Sequence, residues 1–191
     1  MTEIRGSQTE QNLINAFAGE SQARNRYTFF AKAAKNEGYE QIAAIFLDTA
    51  ENEKEHAKLF YKHICNNPHG HVNASYPFEY GTTEENLLSG INGEKEEAEI
   101  LYVNSAKIAK EEGFKDIAET FSRITEVEVH HMKRYQELYK IIKEKNVFKK
   151  AKEEIWTCRK CGYLITSTEA PKECPCCHHP QGYFQLLCEK F

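Results

Sequence analysis

The feature that most constrains the fold of this chain is an internal repeat of about seventy-five residues. The segment AKNEGYEQIAAIF at residues 34–46 returns as AKEEGFKDIAETF at residues 109–121, 75 positions later. The same offset repeats a Glu-x-x-His pair, at Glu53 and His56 and again at Glu128 and His131. A duplicated hairpin of two helices explains such a repeat, so the chain is expected to contain two similar helical halves.

Both halves contain sequence signals for the start and end of helices. Residues 1–147 are rich in Ala, Glu, Lys, Leu and Ile, which favours helix. Ser7 with Glu10 and Thr82 with Glu85 have the spacing of capping boxes, and Gly38 and Gly113 suit the position after a helix end. We predict helices at residues 8–36, 40–66, 83–112 and 115–146, with one long connection after the second. This all-α arrangement is typical of a ferritin-like four-helix bundle.

Charged residues interrupt the inward stripe of every predicted helix. The interrupting residues are Glu20, Glu53, His56, Glu94, Glu97, Glu128 and His131. A solvated face would explain one such glutamate, but unpaired buried carboxylates cost several kcal/mol each, so the full set indicates bound cations. Glu-x-x-His places both ligands on one helix face, and the set matches the di-metal carboxylate site of ferritin-like bundles. Iron and manganese both suit these ligands.

The third predicted helix differs from its counterpart. Glu20 and Glu94 repeat at an offset of 74, so one residue is gained or lost nearby, and the counterpart of Glu97 at that offset is Ala23. This extra carboxylate predicts two unequal metals, one of which exchanges ligands. The inward stripe is expected to continue through Leu101, Asn104 and Ile108.

Two tyrosines accompany the predicted ligands. Tyr27 lies seven residues after Glu20 on the same stripe, and Tyr102 lies on the third helix. Each is placed to donate a hydrogen bond to a metal-bound carboxylate. Filling of the aromatic core is the alternative explanation.

The segment 148–191 forms a second unit with its own metal signal. Its two C-x-x-C pairs supply Cys158, Cys161, Cys174 and Cys177 as the predicted ligands. A unit this small depends on metal for stability, and iron or a zinc ribbon would both satisfy four thiolates. Cys176 is one thiol more than needed, and Cys65 and Cys188 receive no role.

Composition excludes several classes of function. With 25 basic and 29 acidic residues and a net charge of -4, the chain lacks the basic excess of a nucleic-acid binder. No apolar run is long enough for a membrane span, and the N-terminus has no apolar leader. A cytoplasmic protein without nucleic-acid or membrane partners is therefore expected.

Taken together, these motifs resemble the rubrerythrin family. The resemblance rests on FAGESQARNRY at residues 17–27, both Glu-x-x-His pairs, Gly93-Glu94-x-x-Glu97 and both cysteine pairs. It implies a homodimeric, di-iron peroxidase that reduces hydrogen peroxide to water and protects against oxidative stress. It also implies three irons per chain, electrons from NAD(P)H through a rubredoxin or a rubredoxin-reductase-type donor, and an iron that shifts between His56 and Glu97. Glu97, Tyr27 and Tyr102 would act in ligand exchange and carboxylate positioning.

Three other functions compete with this interpretation. A ferroxidase or iron-storage protein shares the bundle but has no use for the cysteine unit. A structural or regulatory metal protein would hold zinc in its tail in place of iron. An oxygen-activating di-iron oxidase would use the same bundle ligands.

Overall fold

A computed structural model describes residues 3–66 and 68–189 of the chain. Within these residues the helices are α1 (Gln8–Asn36), α2 (Glu40–Ile64), α3 (Thr83–Glu96), α4 (Tyr102–Glu111) and α5 (Lys115–Lys143). A π-helical turn, Glu97–Leu101, joins α3 to α4 as one interrupted helix. α1 packs along α2, and α3 and α4 pack along α5. The predicted ferritin-like four-helix bundle is confirmed, although α2 and α5 end before the predicted residues 66 and 146.

The helix ends follow the local sequence. Thr82 and Glu85 form a complete capping box at the start of α3, and Ser7 Oγ accepts from the Glu10 backbone N–H at 3.0 Å. Gly38 and Gly113 have φ of 80° and 91°, the left-handed region that glycine enters without strain. These glycines let the chain reverse directly into α2 and α5.

The π-helical turn changes which face of the third helix is inward. Leu101 is 46% exposed and Asn104 is also exposed, whereas Tyr102, Ser105 and Ala109 are buried. The predicted inward stripe is therefore wrong at Leu101 and Asn104, because a π turn holds one extra residue and rotates everything that follows, whereas Ile108 is half-buried. The same extra residue explains the change of repeat offset, since Glu20 and Glu94 are 74 residues apart while Tyr27 and Tyr102 are 75 apart.

Two apolar clusters fill the bundle on either side of its middle. One contains Tyr27, Phe30, Phe46 and Tyr135, and the other contains Leu13, Phe60, Tyr102 and Phe121. On α1, α2 and α5 the buried glutamates fall between residues of these two clusters. The middle of the bundle is thus a polar layer enclosed by aromatic packing.

The tail is a three-stranded antiparallel sheet with its own small core. Its strands are β1 (Lys149–Cys158), β2 (Leu164–Glu169) and β3 (Phe184–Leu186), in the order β2-β1-β3. Trp156, Phe184 and two cysteines are buried at its centre. The boundary between residues 147 and 148 stays a prediction, and β1 begins immediately after it.

The tail lies against the turn between α1 and α2. The Phe148 and Tyr39 rings are parallel within 10° at a centroid distance of 6.1 Å. A Cβ at Gly182 would collide with the Gly38 carbonyl, so glycine permits the close approach of the two backbones. None of the helices among residues 3–66 and 68–189 has the length and apolarity to cross a membrane.

Candidate metal centres

The polar layer contains two overlapping groups of potential ligands. The first consists of Glu20, Glu53, His56 and Glu128, and the second of Glu53, Glu94, Glu128 and His131. Within each group the ligand atoms all lie within 4.8 Å of one another, and all six residues are buried. Glu53 and Glu128 belong to both groups, which is the arrangement that two neighbouring metal ions with bridging carboxylates require.

The shared carboxylates divide their oxygens between the two histidines. Glu53 places Oε2 at 2.9 Å from His56 Nδ1 and Oε1 at 3.3 Å from His131 Nδ1. Glu128 places Oε1 at 2.9 Å from His56 Nδ1 and Oε2 at 2.8 Å from His131 Nδ1. Each carboxylate therefore presents one oxygen to each histidine, and both histidines use Nδ1 toward the cluster.

The close packing of these charges shifts the pKa values of several members of the cluster. Burial lowers the pKa of His131, but the carboxylates of Glu128, Glu53 and Glu94 beside its Nδ1 outweigh burial and raise the pKa to about 12. The pKa of His56 is raised above its usual range in the same way, because the carboxylates of Glu128, Glu20 and Glu53 outweigh burial. Burial raises the pKa of Glu20 to about 8. Burial also acts to raise the pKa of Glu128, but His131 and His56 outweigh it and lower the pKa to about 2.

Two tyrosines bind the remaining carboxylates across the bundle. The Tyr102 hydroxyl donates to Glu20 Oε1 at 2.5 Å, and the Tyr27 hydroxyl donates to Glu94 Oε1. Burial raises the pKa of both phenols well above the usual range, so each remains a donor. Since each bond links one helical hairpin to the other, the tyrosines hold the terminal carboxylates in position.

Glu97 lies in the π-helical turn and belongs to neither group of ligands. Burial, followed by the charges of Glu20 and Glu94, raises its pKa well above the usual range. Glu97 lines a cavity of about 370 Å³, together with Gly19, Tyr76 and Tyr102. The structure thus places Glu97 between this cavity and the cluster, and its role as a ligand stays a prediction.

The four predicted cysteines of the tail converge on one point. Sγ of Cys158 is 3.8 Å from Sγ of Cys177, and Sγ of Cys161 is 3.7 Å from Sγ of Cys174. A tetrahedron of sulfurs about 2.3 Å from a metal has edges of about 3.8 Å, so the cluster fits a single metal ion. Cys176, Cys65 and Cys188 are exposed and lie outside it.

Backbone N–H groups point at these sulfurs. Burial acts to raise the pKa of Cys174, but the N–H groups of Cys177 and Cys176 and the neighbouring thiols lower it to about 7. Gly162 has φ of 77°, and this left-handed residue turns the chain after Cys161 so that the Tyr163 N–H reaches the Cys161 sulfur. Such N–H groups stabilise a thiolate that binds a metal.

Comparison with known proteins agrees with both clusters. The sequence model described as "Rubrerythrin" matches residues 11–139, and the one described as "Rubrerythrin, rubredoxin-like domain" matches residues 156–185. The chain belongs to the rubrerythrin family. Membership confirms the resemblance, and the two clusters fit a pair of irons in the bundle and one iron in the tail.

Relatives match the chain over both units. Rubrerythrin-1 of Clostridium acetobutylicum is 49% identical over 100% of both chains, and the rubrerythrin of Porphyromonas gingivalis is 52% identical over 96% of this chain and 92% of its own. The mixed-valence structure of nigerythrin is 33% identical, with a TM-score of 0.64 over 97% of this chain and 92% of that one. Bacterioferritin BfrA of Mycobacterium tuberculosis, 17% identical with a TM-score of 0.65 over 75% of this chain and 90% of that one, shows the shared fold alone.

Two residues near the rubrerythrin-type cluster carried no sequence signal. Asn52 Oδ1 lies 3.2 Å from His131 Nε2, and Tyr76 in the long connection donates to the Asn15 carbonyl at 2.7 Å beside the cavity. Asn52 adjoins Glu53 but points away from the inward stripe, so periodicity alone passes it over. Tyr76 lies outside every periodic segment.

Proposed function

We propose that the chain is a non-haem di-iron peroxidase that reduces hydrogen peroxide to water and protects the cell from oxidative stress. The observation that carries this proposal is the pair of shared carboxylates, Glu53 and Glu128, each of which offers one oxygen to each histidine. Two adjacent irons in these positions would supply together the two electrons that conversion of one peroxide to two waters consumes.

The proposed ligands are the six clustered residues and Glu97. Glu20 with His56 would complete one metal position, Glu94 with His131 the other, and Glu53 and Glu128 would bridge them. Glu97 would serve as an additional ligand to the ion at His56. Tyr27 and Tyr102 would orient Glu94 and Glu20 through their hydroxyls.

The cavity gives peroxide a route to this cluster. It is bounded by the long connection through Tyr76 and by α1 through Gly19, where a Cβ would lie 3.5 Å from the Tyr76 ring. Glu97 lies at its inner wall. We propose that its carboxyl carries a proton to the arriving peroxide, since reduction of peroxide consumes two protons.

The tail would deliver electrons to the bundle. Cys161 is exposed, so one edge of the four-thiolate cluster reaches the surface where a donor protein can approach. A single iron on four thiolates transfers one electron at a time. We propose that NAD(P)H supplies these electrons through a rubredoxin or a rubredoxin-reductase-type protein.

We propose that the chain acts as a homodimer. The tail contacts Tyr39 and Gly38 at one end of the bundle, whereas Glu53 lies fourteen residues farther along α2, about 21 Å at 1.5 Å per residue. Electron tunnelling slows steeply with distance. We therefore propose that the tail of one subunit serves the di-iron site of its partner.

Steady-state turnover tests this function. The full-length chain loaded with iron, a rubredoxin, its reductase and NADH should oxidise NADH in proportion to added peroxide without loss of rate over many turnovers. A preparation with three irons per chain that consumes NADH no faster with peroxide than without it would contradict the proposal. Slow mineral formation from ferrous iron under the same conditions would favour the ferroxidase or storage function instead.

The metal of the tail is a separate question for the same preparation. Four thiolates at these distances suit zinc as well as iron. Visible charge-transfer absorption from ferric thiolate would identify iron, and a colourless tail with zinc would support a structural ribbon.

A further inference from the structure

We infer that Asn52 is a positioning residue that fixes His131, and that this contact makes the two metal positions unequal. The inference rests on the proposed di-metal ligands and goes beyond them, since Asn52 contacts no metal position itself. His131 Nδ1 faces Glu128 at 2.8 Å and Glu53 and Glu94 at 3.3 Å. Its other nitrogen, Nε2, lies 3.2 Å from Asn52 Oδ1.

Metal binding decides the direction of this hydrogen bond. A histidine that binds through Nδ1 has no proton there, so its remaining proton is on Nε2. The Asn52 carbonyl oxygen then accepts from Nε2–H and holds the ring plane toward the carboxylates. Partners of this kind fix the tautomer and orientation of a metal-bound imidazole and increase its basicity.

His56 has no equivalent partner within the described part of the chain. Its Nδ1 faces Glu53 and Glu128 at 2.9 Å and Glu20 at 3.7 Å, just as His131 faces its carboxylates. Among the residues that the structure describes, none forms a hydrogen bond with His56 Nε2. The ligand sets of the two positions are similar, but the two imidazole rings differ in the hydrogen-bond partner of Nε2.

The internal repeat shows where this difference arises. The offset of 75 that relates His56 to His131 relates Asn52 to Val127, so the residue equivalent to Asn52 is apolar. Neighbouring positions differ in the same sense. Thr49, which accepts from Arg134 at 2.5 Å beside Tyr135, has the apolar counterpart Ile124, and Arg134 and Tyr135 have the counterparts Leu59 and Phe60.

Asn52 thus gives the cluster a polar partner on its His131 side, where the other half of the repeat has Val127. At the His131 position Asn52 supports the imidazole through Nε2, whereas no side chain in residues 3–66 and 68–189 forms such a bond at the His56 position. The metal on His131 should be the more tightly bound of the two. Glu97 contributes a separate asymmetry, because it lies on the cavity side.

Cobalt affinity of the full-length chain tests the role of Asn52. Metal-free protein is titrated anaerobically with Co²⁺ against a competing chelator, and the thiolate-bound ion of the tail is distinguished by its charge-transfer absorption. N52V should lower one of the two bundle affinities by about 10-fold or more and leave the other unchanged. N52D, whose carboxylate also accepts from Nε2–H, should restore at least the wild-type affinity.

Two further variants complete the experiment. N25V changes an exposed asparagine on α1 that bonds only the Ser21 carbonyl in the described residues, so it should alter neither constant. V127N should raise the weaker of the two affinities, because it gives His56 the partner that it lacks. Failure of V127N to raise either constant would overturn the inferred cause of the asymmetry.

The decisive outcomes are distinct from a failure of the proposed function. The role of Asn52 would be overturned if N52V bound both bundle Co²⁺ ions with affinities within about twofold of wild type. It would also be overturned if N52D bound them no better than N52V, and in either case the di-metal site would stand. A wild-type chain that binds fewer than two ions in the bundle would instead contradict the proposed ligands. Should N52V fail to fold, N52D and V127N still decide the question.

Discussion

Tyr102 donates its hydroxyl to Glu20 at 2.5 Å, from α4 of one helical hairpin to α1 of the other. Tyr27 makes the reciprocal bond to Glu94, so the two contacts are related by the internal repeat. In both pairs a buried phenol donates to a buried carboxylate. The two hairpins are thus joined at the level of the cluster by these two hydrogen bonds.

Tyr102→Phe should weaken metal binding without unfolding the bundle. The phenyl ring retains the packing against Phe60 and Phe121, but Glu20 loses its donor. A buried acceptor without a partner costs about 1–3 kcal/mol, and loss of such support lowers metal affinity by about 10-fold or more. Cobalt affinity and thermal unfolding of the same samples measure both effects. Tyr61→Phe, at a residue that is 51% exposed, is the control and should change neither.

The periodic part of this architecture is predictable from sequence, and the π-helical turn marks the limit of that approach. Caps, glycine turns and the repeat predict the helix ends because each acts through a few neighbouring residues. The inward face after Glu97 is not predictable by period, since one inserted residue rotates Tyr102 inward and Leu101 outward. The repeat did contain the signal, as the offset changes from 74 to 75 between Glu94 and Tyr102.

The surroundings of the site were harder to predict than its ligands. Six of the seven predicted bundle ligands converge in the structure. They could be identified from the sequence because charged residues on the buried face of a helix are costly and therefore rare. Asn52 reaches His131 from another helix, and Tyr76 reaches the cavity from an irregular connection. Contacts of this kind depend on the relative placement of helices and loops, which no local pattern specifies.

Glu97→Ala should slow peroxide turnover by about 10-fold or more while both bundle irons remain bound. The six clustered ligands persist, but the oxidised ion at His56 loses its additional carboxylate and the cavity loses its proton carrier. Stopped-flow oxidation of the reduced protein and iron analysis of the same sample separate the two quantities. Glu96→Ala, an exposed carboxylate on the same cavity wall, is the matched control. The assignment would be refuted if Glu97→Ala were isolated without its bundle irons and yet turned over peroxide at the wild-type rate after reconstitution with iron.

Glu53→Ala and Glu128→Ala should each abolish the di-iron site. These carboxylates belong to both ligand groups, so one substitution removes an oxygen from each metal position. Iron analysis should then find only the ion of the tail, and far-ultraviolet circular dichroism should show the helices retained. Glu126→Ala on the exposed face of α5 should keep the full iron content. An intact di-iron spectrum in either bridging variant would show that the bridge has been misassigned.

Metal binding to the bundle should strengthen as pH rises. Without metal, His131 has a pKa of about 12 and Glu20 of about 8, so both carry protons at neutral pH. The metal-bound cluster holds fewer protons than the metal-free one, and higher pH therefore favours binding while acid favours release. Calorimetric titration with Co²⁺ in two buffers of different ionisation enthalpy counts the protons released. An affinity that is constant between about pH 6 and pH 8 would contradict the protonated state described for the free cluster.

The last prediction separates the chemistry of the bundle from the entry of electrons through the tail. Cys158→Ser removes one of four clustered sulfurs, so the tail should lose its ferric-thiolate colour and, with its metal, most of its stability. The bundle keeps all its proposed ligands, so chemically reduced protein should still be oxidised by a single dose of peroxide. Turnover driven by NAD(P)H and a reductase should fail, as it should for a chain that ends at Asn146. Cys176→Ser changes an exposed neighbouring thiol outside the cluster and should retain both colour and turnover. If Cys158→Ser consumed peroxide at the wild-type rate with the same reductase, electrons would enter the bundle without the tail, and a structural zinc ribbon would become the better account of residues 148–191.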